Sequence, residues 1–238
     1  MWGTLAMLPL LMGSGAAAPG GICAQTGPDL RAAIASNEVH VAPEVKALLL
    51  DATDGKQDKV AAEVQEMRSR FDADEMTEWL NLALFQATYY NRADVAEWLI
   101  GQGADVNAHP MNIAFANSPK RSDEERVWPP LEQAADCGNT AALKVLLAHH
   151  ADMYSSLREP RPEPGALLLA MMGRHEDTVN VLLDRGYDPC LIHANYYPGP
   201  SAAQMAKRRG LSSTLTARLS ALSQKCATPA PAQSAATR

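Results

Sequence analysis

The side chains in this chain best suited to chemistry are its histidines and cysteines. His149 and His150 are adjacent, Asp152 lies close behind them, and His175 follows further on. A helical zinc site needs histidines four residues apart on one face, and no HExxH pattern occurs. Adjacent helical positions point in different directions, so His149 and His150 do not converge on one ion. HEDT (175–178) reads as the polar start of a helix, with acids near its positive end. There is no P-loop, no GxGxxG behind a strand, no GxSxG and no CxxC. These residues predict no catalytic group, no metal and no cofactor. The alternative is a metal-dependent enzyme using His149, His150 or His193, which stoichiometric zinc in the purified protein would support.

The elements that carry these residues are helical. Aromatics are only 5% of the 238 residues, and alanine and leucine dominate, which favours helix over sheet. With 47% hydrophobic and 20% charged residues the chain has material for a sizeable core. A net charge of −6 argues against nucleic acid held through its phosphates and against an anionic membrane surface. It favours a basic protein partner.

The helical pattern repeats. LALFQATYYNRADVAEWLIGQGADVN (82–107), PPLEQAADCGNTAALKVLLAHHADMY (129–154) and GALLLAMMGRHEDTVNVLLDRGYDPC (165–190) run in register. Each has an alanine in a first short helix, a break four residues later, an apolar pair in a second helix, and then Asp. SAAQMAKRRGLSSTLTARLSAL (201–222) is a last copy without the trailing turn, and LLLDATDGKQDKVAAEVQEM (48–67) a degraded first one. Ala52, Ala87, Ala134, Ala170 and Ala206 align, at intervals of 35, 47, 36 and 36. Helices this short are unstable alone in water, so each pair must fold as one layer of a stack.

These units resemble ankyrin repeats. PPLEQAADCGN is similar to the family's TPLHxAAxxGH signature, and GQGADVN contains its GADVN turn. The resemblance covers roughly residues 44 to 222 and implies an all-α solenoid of about five stacked helix-turn-helix units, over about 44–78, 79–111, 127–160, 163–197 and 199–222. The family's opening threonine is kept only as Ser201, against Leu82, Pro129 and Gly165, and its histidine is absent. The glycine slot between helices holds Gly138 and Gly210, but Asn91, Arg174 and Lys56 elsewhere. Asn tolerates a left-handed backbone; Gly173 and Gly55, just ahead of Arg174 and Lys56, are expected to absorb the turn there. Leu99, Leu146 and Leu183 should form a continuous apolar seam. Lys207, Arg208 and Arg209, and Lys56, Gln57, Asp58 and Lys59, supply polar faces for the two end copies.

Around the array (43–224) lie an N-terminal lead-in, 25–42, an inserted loop, 108–128, and a disordered tail, 225–238. The inserted loop carries Phe115 and, at its end, Trp128, and reads either as a tolerated surface loop or as part of a binding face. Residues 1–24 read as a signal peptide: an apolar run from Leu5 to Met12, then small residues, although no Lys or Arg precedes it. Cleavage after Ala18 would leave Pro19 first, so the expected cut follows Ala24. Ile22 is bulky for a lipoprotein signal. The expected location is periplasmic or secreted, with no membrane insertion after cleavage; an uncleaved, membrane-tethered scaffold is the alternative. Cys190 and Cys226 would sit one layer apart in such a stack. A bridge between them, against two unpaired thiols, would stabilise the C-terminal cap by roughly 3 kcal/mol. Cys137 reads as a small packing residue.

In the ankyrin architecture the ligand surface is the concave face. The resemblance places Phe85, Tyr89 and Tyr90, then Glu132 and Asp136, then Leu168 and Met172 on it, with His109, Met153, Tyr154 and His193 through Tyr196 and Tyr197 at the turn tips. Six of the nine Phe and Tyr residues fall there, and tyrosines suit an interface because they combine apolar area with a polar tip. The implied role is a monomeric, non-catalytic module binding a protein client. The competing reading is that the lead-in or the inserted loop folds back and covers the patch.

Overall fold

Local capping chemistry sets several helix starts. Proline opens the first turn of α1 (Pro43–Asp54) and α5 (Pro130–Cys137), where its missing N–H is not needed. Reciprocal capping boxes open α3 (Ala73–Tyr89), through Asp72 and Glu75, and α9 (Ala202–Arg209), through Ser201 and Gln204. Ser201, the retained counterpart of the family's threonine, is thus the cap of the last inner helix. The remaining helices are α2 (Gln57–Met67), α4 (Ala93–Gly101), α6 (Thr140–Ala148), α7 (Ala166–Met172), α8 (Glu176–Asp184) and α10 (Ser213–Ser223), with a 3-10 turn at Pro189–His193. The structure, a computed structural model, describes residues 41–109, 128–155, 165–193 and 200–226, and no strand occurs among them.

Consecutive helices pair into five layers. The inner members stack α1 on α3, α3 on α5, α5 on α7 and α7 on α9; the outer members stack α2 on α4, α4 on α6 and α6 on α8. The last outer helix, α10, is tied to α8 by Arg218, which donates to Asn180 Oδ1 at 2.7 Å and Asp184 Oδ1 at 2.6 Å. Ala87, Ala134, Ala170 and Ala206 are completely buried between inner helices, where a methyl group permits close approach. Leu99, Leu146 and Leu183 are buried behind them in one core running through the array.

Three local expectations are corrected. The first layer is offset by one residue. In the later layers the N–H of the fifth residue after the aligned alanine returns to its carbonyl, as in Arg92 to Ala87 and Asn139 to Ala134. In the first layer Lys56 N–H returns to Asp51, not Ala52. Gly55 therefore takes the left-handed position (φ 77°) equivalent to Asn91, Gly138 and Gly210. In the fourth layer the glycine does not absorb the turn: Arg174 itself is left-handed at φ 63°, while Gly173 is ordinary helix at φ −76°. Gly173 is glycine for a different reason. A Cβ there would meet the imidazole of His175 and lie 3.2 Å from the Asp136 carbonyl. Finally, α3 begins at Ala73, well before the expected repeat start at 79; the D-x-x-E spacing of Asp72 and Glu75 was the available signal. The expected signal peptide and nearly all of the lead-in, inserted loop and tail lie outside the described residues.

Candidate functional site

Two ladders of polar contacts join the layers. One runs along the inner-helix ends. The side chain opening each outer helix reaches back to a carbonyl in the preceding layer: Arg92 Nε donates to Thr53 O at 2.8 Å, Asn139 Nδ2 to Thr88 O and Tyr89 O at 2.8 and 2.6 Å, and His175 Nε2 to Asp136 O at 2.8 Å. These contacts satisfy orphan carbonyls at helix C-termini, which would otherwise need water. Leu211 occupies that slot in the fifth layer, and the junction is crossed instead by Arg174, donating to Gly210 O at 3.3 Å.

The second ladder runs along the turn tips. Asp105, Asp152 and Asp188 each accept, on Oδ1, the backbone N–H two residues on, from Asn107, Tyr154 and Cys190. The side chains of those three residues then make the next rung. Asn107 Oδ1 accepts Asp152 N–H at 2.7 Å, and the Tyr154 hydroxyl oxygen accepts Asp188 N–H at 2.9 Å. Cys190 makes its rung covalently, through a disulfide to Cys226 with Cα atoms 5.4 Å apart. The bridge thus sits where each earlier layer has a hydrogen bond.

On this frame the aromatic residues of the second layer cluster. The Phe85 and Tyr89 rings are 6.1 Å apart, and Tyr89 and Tyr90 meet edge-on at 5.0 Å. Their accessibility differs from the sequence-based expectation. Phe85 and Leu168 are only 4% and 7% exposed, so they support the face from beneath. Tyr89, Tyr90, His109, Met153, Tyr154 and Met172 are half-buried and keep part of their surface. Glu132 and Asp136 are also buried, at 0% and 1% exposed, although charged residues seldom are unless paired. Ser155 Oγ donates to Glu132 at 3.1 Å. Tyr196 and Tyr197, with Ala194 and Asn195, lie outside the described residues.

The ankyrin-repeat family model matches residues 80–109, the latter part of α3, all of α4 and the turn behind it. The chain carries an ankyrin repeat, and its described helices form an all-α, ankyrin-type solenoid. Its other layers carry the same helix pair and left-handed hinge, and the third and fourth repeat the Asp turn contact. No curated protein matches the chain. Ankyrin repeats generally mediate protein–protein contact and are typically non-catalytic.

The ankyrin frame also accounts for the residues first considered for chemistry. His149 Nε2 pairs with Glu97 on the neighbouring outer helix at 2.7 Å. His150 takes a left-handed conformation, φ 62°, in the slot that Gly103 and Gly186 fill in neighbouring layers. Burial lowers the pKa of His175, against the opposing effect of its bond to Asp136 O. The three histidines do different structural work, and no group of three His, Cys, Asp or Glu among the described residues is placed to hold a metal. No helix among the described residues is long and apolar enough to cross a membrane.

Two residues of the face were missed. Tyr187 stands where the other turns have Ala104 and Ala151; it is buried, with its ring 4.9 Å from Tyr154. Burial, followed by the nearby Glu132, raises its pKa. A large residue in an alanine slot was the signal. The second is Cys137, expected to be a packing thiol. It is disulfide-bonded, with Gln133 Nε2 donating to its sulfur at 3.1 Å. The repeat spacing gave no sign of it, because no other layer carries a cysteine at that position.

Proposed function

We propose that this protein binds a protein client on its concave ankyrin face, as a non-catalytic monomer in the periplasm or outside the cell. One observation carries the reading. Tyr89, Tyr90, Tyr154 and Met172 keep part of their surface exposed, and Tyr89 and Tyr154 are tied into rungs of the two interlayer ladders. A rigid array loses little conformational freedom on binding, and tyrosines give contact area with few rotatable bonds. The acidic balance favours a basic client. An exported location agrees with the Cys190–Cys226 bond, since disulfides persist in oxidising compartments.

The test is affinity capture from an envelope extract, with a Tyr89→Ala, Tyr90→Ala, Met172→Ala variant in parallel. Leu168 is left intact because its burial would confuse binding with stability. A partner retained by the parent and lost by an equally folded variant is the expected result. A partner held equally by both would remove the concave face from the account.

A further inference from the structure

The sign of the charge reverses along the array. The second layer, residues 72–109, carries seven acids against one cation, Arg92. The fifth, residues 200–226, carries five cations and no acid, in a chain whose net charge is −6. Three of the five, Lys207, Arg208 and Arg209, form the last turn of α9, and all three are exposed. We propose that this turn is a recognition site for an acidic segment of the protein client, which meets the array with its negative end on the fifth layer. The inference rests on the reading above for the kind of partner, and adds the charge of that partner and its direction along the stack.

Capping alone does not account for the cluster. A terminal layer needs a polar outer face but not one sign of charge, and the first layer, residues 41–71, mixes five cations with six acids. Cations do favour a helix C-terminus. Yet α9 is the only α-helix among the described residues with a basic residue in its last turn. Nor are these charges answered within the fold. Lys207, Arg208 and Arg209 make no hydrogen bond or ion pair among the described residues. Two acids of the fourth layer reach across to the fifth, and both are engaged elsewhere. Glu176 accepts from the Ser212 N–H and hydroxyl, each at 2.6 Å, and Asp184 accepts from Arg218 at 2.6 Å. A fourth cation joins instead. Exposed Arg174 donates to Gly210 O at 3.3 Å, which sets its guanidinium beside the residue that follows Arg209.

The repeat register places the cluster in line with the half-exposed residues of the other inner helices. Arg208 stands two residues after the aligned Ala206, as Tyr89 and Met172 stand after Ala87 and Ala170, and Arg209 holds the position of Tyr90. Successive helical residues point about 100° apart, so the three cations fan through about 200°. A flat bilayer could meet only part of that fan, and would also want apolar side chains beside it to insert. Leu191, the only exposed large apolar residue among those described, is in the 3-10 turn and not in α9. A narrow chain bearing several carboxylates can reach all three, and guanidinium groups hold carboxylates through paired hydrogen bonds. A nucleic acid is narrow too, but the acidic second layer repels a long polyanion, whereas a client can be acidic at one end alone.

The probe is a fluorescein-labelled octaglutamate peptide, titrated with the purified full chain and followed by fluorescence anisotropy at low and at physiological salt. The parent should bind it, more weakly as salt rises. Replacing Lys207, Arg208 and Arg209 together by glutamine, which keeps helix propensity, should weaken binding about tenfold, the order expected for three exposed ion pairs. Arg208→Glu alone should weaken it several-fold, so the result does not depend on the stability of the triple variant. Lys59→Gln, Lys144→Gln and Arg185→Gln together remove as many exposed charges elsewhere and should leave the affinity within about twofold. A parent that does not hold the peptide, or equal weakening by the two triple variants, would overturn the site. Tighter binding of oligothymidylate or of phosphatidylglycerol vesicles than of the peptide would overturn the acidic protein segment as its ligand. Affinity capture separates this from the client reading: a client lost by the Tyr89, Tyr90, Met172 variant but held fully by the glutamine variant would leave the concave face standing and remove the acidic contact.

Discussion

Gly173→Ala separates local propensity from tertiary packing more sharply than any other single change. Gly173 ends α7 at φ −76°, a conformation alanine adopts freely. From backbone considerations alone the substitution should stabilise, by roughly 0.5–1 kcal/mol. Packing predicts the reverse sign. The new methyl would overlap His175 Nε2 and Cδ2 and press to 3.2 Å on Asp136 O. Overfilling of this kind costs roughly 1–3 kcal/mol. Moving the imidazole aside also deprives the buried Asp136 carbonyl of its 2.8 Å donor, at roughly 1–3 kcal/mol. Allowing for the backbone gain, the net loss is roughly 1–5 kcal/mol, or about 2–20 °C in Tm for a chain of this size. Urea and thermal unfolding followed by far-ultraviolet circular dichroism measure it. Gly173→Ala in a His175→Ala background is the control, where the penalty should shrink by at least about 1 kcal/mol because the clash has gone. A neutral or stabilising Gly173→Ala, or an undiminished penalty in that background, would refute the argument.

Two further outcomes are expected. Burial, together with the hydrogen bond and charge of the adjoining Asp51, pushes the Glu63 carboxyl up to about 7. Because the folded value is raised, its stabilising contribution is present below the ordinary value of 4.5 and is lost as pH rises through about 7. The urea midpoint should therefore fall across that window, and Glu63→Gln should flatten the fall; an unchanged slope would exclude Glu63 as its source. Replacing Cys190 and Cys226 by serine opens a closure of 36 residues, worth roughly 3–4 kcal/mol in the chain-entropy account. Amide exchange should accelerate in α9 and α10 while α3 to α6 hold their protection, because each layer touches only its neighbours; uniform acceleration would count against a layer-by-layer stack.

Periodic information was legible in the sequence. The stacking of two-helix layers, the buried alanines at Ala87, Ala134, Ala170 and Ala206, and the seam through Leu99 and Leu146 follow from residue type and spacing alone. A helix pair with apolar stripes on both members has no other way to cover them. The left-handed hinge at Asn91 was readable for the same local reason. What required the tertiary structure is whatever depends on a neighbour from another layer. Gly173 and Arg174 exchanged their expected roles because His175 fills the space above Gly173. Asp51, not Ala52, holds the alanine slot because hydrogen-bond register, not residue type, defines it. Phe85 and Leu168 are buried, although both stand at positions that the repeat pattern assigns to an open face, and Cys137, read as a packing thiol, is bonded. A repeat specifies how one layer meets the next; how far each side chain at its face is covered is settled only when the layers are packed together.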